Sequence, residues 1–97
     1  MTKSEIFQRI RNHRNDIEKY GVVQIGLFGS YVRNEQKETS DIDILVDLEP
    51  GKRTFDNFMG LCFYLDDLFS EKKVEVVTTG GLSKYIGPHI LKEVEYA

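Results

Sequence analysis

The run Asp41-Ile42-Asp43-Ile44-Leu45-Val46-Asp47-Leu48 constrains this chain more than any other stretch. Alternation places Ile42, Ile44, Val46 and Leu48 on one face of a strand, and Asp41, Asp43, Leu45 and Asp47 on the other. The apolar face demands a sheet backed by other elements. The acidic face demands an explanation. Carboxylates two residues apart on a strand stand roughly 6.6 Å apart along the chain. They repel one another and are costly to desolvate. They belong either at a solvated strand end or at a site where a hard divalent cation balances them. An EF-hand loop is excluded, because Leu45 and Val46 stand where it needs Asp or Asn and then Gly. Asp47 lies on the acidic face but roughly 13 Å further along, outside a shared metal shell.

The stretches on either side of this strand give it a setting. Val22–Phe28 is short, β-branched and bounded by glycines, a second strand. It runs into Gly29-Ser30 and then a short helical stretch, "SYVRNEQ". Backbone N–H groups and a hydroxyl at such a turn suit a phosphate, and glycine lets the backbone approach it closely. Arg33, one turn on, carries a planar fork for phosphate oxygens. This is not a Walker A loop, since Gly-Lys-Ser/Thr is missing. "VEVVTT" forms a third strand, in which Glu75 shares a face with Val77 and opposes Val74 and Val76. If that strand lies beside the first, Asp41, Asp43 and Glu75 converge on one sheet edge. Three such carboxylates can hold two metal ions for an in-line phosphoryl displacement.

Helices fill the rest. Thr2 and Glu5 have capping-box spacing ahead of Ile6, Ile10, His13 and Ile17, one stripe of a helix that Gly21 ends. His13 reads as a partly buried spacer on that stripe. Phe55, Phe58, Met59, Cys62, Leu65 and Phe69 are spaced by three and four and read as the core face of a helix over 54–69. Pro88 starts a short last helix, and "VEYA" reads as a frayed end or a short strand. Lys52-Arg53 reads as a solvated turn. The expected order is α-β-α-β-α-β-α, a single α/β (α+β) domain over residues 1–97 with one small mixed sheet packed by helices.

Composition narrows the function class. A net charge of −3 gives a nucleic-acid partner no bulk attraction, so direct nucleic-acid binding is not expected. The lone Cys62 allows no internal disulfide and suits a reducing compartment. No segment reaches the ~20 apolar residues of a membrane span, and the charged N-terminus lacks a signal-peptide core. The expected location is the cytoplasm, with no membrane partner.

Together, "LFGSYVR" (27–33), ten residues after Ser30 the "DID" of "SDIDILVDL" (40–48), "VEVVT" (74–78) and the tail "YIGPHILKEV" (85–94) resemble the minimal nucleotidyltransferase (MNT) family of the polymerase-β-like nucleotidyltransferases. The resemblance spans nearly the whole chain. It implies the polymerase-β-like nucleotidyltransferase fold and Mg²⁺-dependent transfer of AMP from ATP to a hydroxyl. Asp41, Asp43 and Glu75 would be the catalytic, metal-binding carboxylates, holding two Mg²⁺ ions. Gly29, Ser30 and Arg33 would bind the nucleotide. Family members often carry Ala-Arg-Gly where this chain has Val32-Arg33-Asn34, so the turn after Arg33 is the one departure. The family also implies a partner: a small helical HEPN-type toxin, with the MNT chain as antitoxin and a toxin tyrosine as acceptor. Two other roles stay open. The chain could neutralise a partner by binding without catalysis, or modify a small molecule together with a substrate-binding subunit.

Overall fold

A computed structural model describes residues 1–97. The first helical stretch is two helices, α1 (Lys3–Asn12) and α2 (Arg14–Glu18). Thr2 caps α1, its Oγ1 accepting from the Glu5 N–H at 3.2 Å. The break falls at His13, whose ring Nδ1–H donates to the Arg9 carbonyl at 2.9 Å. The His13 N–H turns back to the Ile10 carbonyl at 3.1 Å, so the helical ladder stops there and restarts. Gly21 then takes φ +77°, the left-handed conformation expected of a helix stop.

Strand β1 (Val22–Phe28) leads into α3 (Ser30–Arg33), and β2 (Ile42–Leu48) follows. A 3₁₀ turn over Pro50–Lys52 precedes α4 (Phe55–Leu68). Then come β3 (Val74–Thr78), a 3₁₀ turn over Thr79–Gly81, α5 (Gly87–Glu93) and β4 (Glu95–Tyr96). The sheet order is β3-β2-β1-β4. β1 pairs antiparallel with β2 and with β4, while β2 and β3 are parallel, so the sheet is mixed as expected. The C-terminal "VEYA" forms an edge strand, its Tyr96 opposite Gly26. Gly26 is needed there: a Cβ would stand 2.7 Å from Val94 Cγ2 and 2.9 Å from Tyr96 Cδ1.

The core lies on the face predicted from the alternation. Ile42, Ile44, Val46 and Leu48 pack with Ile25 and Leu27 of β1, with Ile6, Ile10 and Ile17, and with Leu61, Leu65 and Phe69. The stripe of α4 is rotated from the one expected. Leu61 and Leu65 are its buried residues, whereas Phe55 is 76% exposed and Cys62 only half-buried. Phe55 sits in the first turn of the helix. The acidic face of β2 is not simply solvated: Leu45 on that face is fully buried. No helix is long and apolar enough to cross a membrane.

Candidate active site

The site forms where β1 ends and β2 and β3 begin. Asp43 pairs with Phe28 across the antiparallel ladder and with Glu75 across the parallel one. Paired residues share a face, so the Asp43 and Glu75 carboxylates flank one strand spacing. Asp41 stands just before β2 and is half-buried. A cleft of about 320 Å³ opens over this face, floored by Asp43 and Glu75 and walled by Phe28, Leu82, Ile86 and Ile90. A larger cleft, about 620 Å³, lies at the far end of β2 beside Asp47, Arg53 and Phe55, away from the predicted site residues.

Gly29 turns the chain out of β1 with φ +80° and ψ −153°. That region favours glycine. The approach of Asp43 makes a second demand. An ideal Cβ on Gly29 would lie 3.1 Å from Asp43 Cγ and closer still to its Oδ2. The missing side chain thus makes room for the Asp43 carboxylate itself. Ser30 opens α3, and its hydroxyl has no hydrogen-bond partner within the chain. Asn34 takes φ 59°, ψ 36° and its N–H closes back on the Ser30 carbonyl. Asparagine is among the few residues that adopt this conformation readily.

Burial, and after it the charges of Glu75 and Asp41, push the Asp43 carboxyl up to about 6; the Arg33 charge opposes this. The acidic cluster is thus undercompensated at its centre. The three side chains do not converge into a closed cage: no three acidic, His or Cys groups stand together as a ready metal shell. Glu75 leans toward Lys73, with Oε1 3.7 Å from Nζ. By donor chemistry the residues still fit a hard cation, since all are carboxylates, share one sheet end and oppose ionisation at Asp43.

Outside this cluster, Asp47 accepts from the Thr79 hydroxyl at 3.0 Å and lies 3.8 Å from Arg53. Arg53 also donates to the Leu48 carbonyl at 2.8 Å, so this end of β2 is tied by its own contacts. One residue at the site was not singled out by sequence. Glu93, in the last turn of α5, accepts from the Gly29 N–H at 2.8 Å and pairs with Arg33 Nη1 at 2.9 Å. Its signal was available: an acid at a helix C-terminus opposes the helix dipole and calls for a compensating partner.

The chain as a whole has counterparts in known proteins. The model of the nucleotidyltransferase domain family matches residues 9–96, and the chain belongs to that family, with the architecture of a minimal nucleotidyltransferase. The protein adenylyltransferase MntA of Thermococcus cleftensis is 40% identical over 97 residues, covering 99% of this chain and 96% of the relative. A protein of Methanocaldococcus jannaschii, named as a candidate protein adenylyltransferase, is 44% identical over 96 residues, 97% of this chain and 92% of its own length. A solved structure described as a candidate minimal nucleotidyltransferase superposes with a TM-score of 0.83 at 29% identity, covering 98% of this chain and 95% of that one. The same fold is found in a toxin–antitoxin crystal structure with AMP-PNP, at a TM-score of 0.68 and 21% identity, covering 99% of this chain and 72% of that chain. The chain is thus a transferase of the nucleotidyltransferase class.

Proposed function

We propose that this chain transfers AMP from ATP to a hydroxyl of a partner protein, a tyrosine of a small helical HEPN-type toxin, and acts in the cytoplasm as that toxin's antitoxin. The observation that carries this is the pairing of Asp43 with Glu75 beside the Gly29-Ser30 turn, in a chain with protein adenylyltransferases among its relatives. Asp41, Asp43 and Glu75 would hold Mg²⁺, two ions in the full site. Bound there, the metal neutralises charge on the α-phosphoryl group and the leaving pyrophosphate. The Ser30 hydroxyl and Arg33 are the chain's own groups for the triphosphate, with Gly29 setting the turn. The acceptor oxygen bonds to the α-phosphorus as the bond to the pyrophosphate oxygen breaks, and Glu75 would help to take the hydroxyl proton. The cleft walled by Leu82, Ile86 and Ile90 gives the acceptor an apolar approach to Glu75.

The test is label transfer from α-labelled ATP with Mg²⁺ in the presence of the partner protein. Label should reach the partner with the wild-type chain and be lost with Asp41→Asn or Asp43→Asn. Label that persists in both variants would remove the metal-site assignment. If both variants still neutralise the partner as well as wild type, the chain acts by binding and not by transfer.

A further inference from the structure

We infer that Glu93 is a positioning residue for the nucleotide site: its carboxylate fixes the Gly29 peptide and the Arg33 guanidinium in the arrangement that receives a triphosphate. The inference rests on the nucleotidyl-transfer reading and assigns to it a residue from the far end of the chain.

Three hydrogen bonds meet at this one side chain. Oε2 accepts from the Gly29 N–H at 2.8 Å and from Arg33 Nη1 at 3.2 Å, and Oε1 accepts from Nη1 at 2.9 Å. All three are charge-assisted, the stronger kind, and the two from Arg33 join opposite charges. Arg33 is held from a second side by Glu35, which accepts from Nε at 3.0 Å. The guanidinium is therefore anchored at two points, Nε and Nη1, and Nη2 donates to no protein group. An arginine oriented by a carboxylate behind it loses less freedom when it grips an anion in front.

Glu93 could in principle be a stand-in for the triphosphate, sitting on its donors until displaced. The packing favours a resident. Ile90, one turn earlier, is buried, and the chain after Glu93 goes directly into β4, which pairs with β1. The Ala97 N–H completes this with a 2.9 Å bond to the Ile25 carbonyl. Glu93 therefore projects from a backbone position set by the buried Ile90 on one side and by the sheet on the other. With Gly29 N–H committed to Glu93, the donors left for a phosphate are the Ser30 hydroxyl and Arg33 Nη2. Arg33 and Glu93 also act electrostatically on Asp43, with opposite sign, behind the larger effects of burial, Glu75 and Asp41.

The experiment measures Mg·ATP binding by calorimetry in wild type, Glu93→Gln, Arg33→Met and the double variant, with thermal stability recorded for each. Glutamine still accepts from Gly29 but lacks the charge that holds Arg33. Glu93→Gln should weaken ATP binding about tenfold while the protein stays folded, and should add nothing once Arg33 is Met. Loss of stability with unchanged ATP affinity would make Glu93 merely structural and overturn the inference. Tighter ATP binding in Glu93→Gln would make the carboxylate a competitor and overturn it too. A full additional loss in the double variant would show that Glu93 does not act through Arg33. Wild-type protein that binds no Mg·ATP would overturn the nucleotidyl-transfer reading itself, and with it this one.

Discussion

The Asp43 carboxylate rests against Gly29, in the space where any other residue would carry its Cβ. This contact joins the end of β1 to the second strand residue of β2 and brings the proposed phosphate turn and metal site together. Gly29→Ala introduces strain at φ +80° and a clash with Asp43. The cost should be about 2–3 kcal/mol. Moving Asp43 by even ~1 Å should cost on the order of 100-fold in transfer. Thermal melts and label transfer, run on the same preparation, check both effects. A variant as active as wild type would mean that the contact does not position Asp43.

Stability should depend on pH through Asp43. Its carboxyl is raised from an ordinary value of 3.8 to about 6. Between those values the folded chain keeps a proton that the unfolded chain has released, so this group's contribution to stability falls as pH rises through that window. At neutral pH the ionised Asp43 therefore destabilises the metal-free fold, by roughly 1–2 kcal/mol after allowing for solvent screening. Asp43→Asn should melt several degrees above wild type at pH 7.5 in EDTA, while losing transfer. The difference should shrink toward pH 4. Equal melting temperatures at pH 7.5 would show that Asp43 carries no such burden.

Mg²⁺ should reverse that order. A cation bound by Asp41, Asp43 and Glu75 stabilises the fold by mass action. Millimolar Mg²⁺ should raise the melting temperature of wild type at pH 7.5 and leave Asp43→Asn nearly unmoved. An equal rise in both would place the ion elsewhere.

Asn34 takes a left-handed conformation that favours glycine. Asn34→Gly should therefore be near neutral, within about 0.5 kcal/mol. Asn34→Ala should cost about 1 kcal/mol, because alanine gains no local hydrogen bond in that conformation. Denaturant titration distinguishes the two. An alanine variant as stable as wild type would show that the turn relaxes.

Gly26 holds the C-terminal strand close. Gly26→Val would overlap Val94 and Tyr96 and should cost about 1–3 kcal/mol. Its signature is faster hydrogen exchange at Glu95–Ala97 than in the core of β2. Unchanged protection there would mean that β4 moves with the added side chain.

Strands β1, β2 and β3 were legible because their patterns are local. Alternation and β-branching identify a strand whatever it pairs with, and spacing by three and four identifies α4 for the same reason. The rotation of the α4 stripe was not legible. Phe55 has the right spacing and the right chemistry, but a helix's first turn is buried only if the sheet extends beneath it. The break at His13 depends on a side-chain bond back to Arg9, which periodicity does not encode. Glu35 and Glu93 lie 2 and 60 residues from Arg33, and only folding shows that both hold it.

By itself, the sequence determined which residues are candidates for the chemistry: Gly29 and Ser30 at one strand end, Asp41 and Asp43 at the next strand, Glu75 on a third. Residue type, spacing and face are properties of the local chain. Tertiary structure decided which of those residues meet. The parallel pairing of β2 with β3 set Glu75 opposite Asp43, and the close fit of Gly29 to Asp43 needed the antiparallel β1–β2 register. The seating of α5 and β4 brought Glu93 to Gly29 and Arg33. Such contacts depend on how the buried faces pack, a long-range condition that no short stretch of sequence contains.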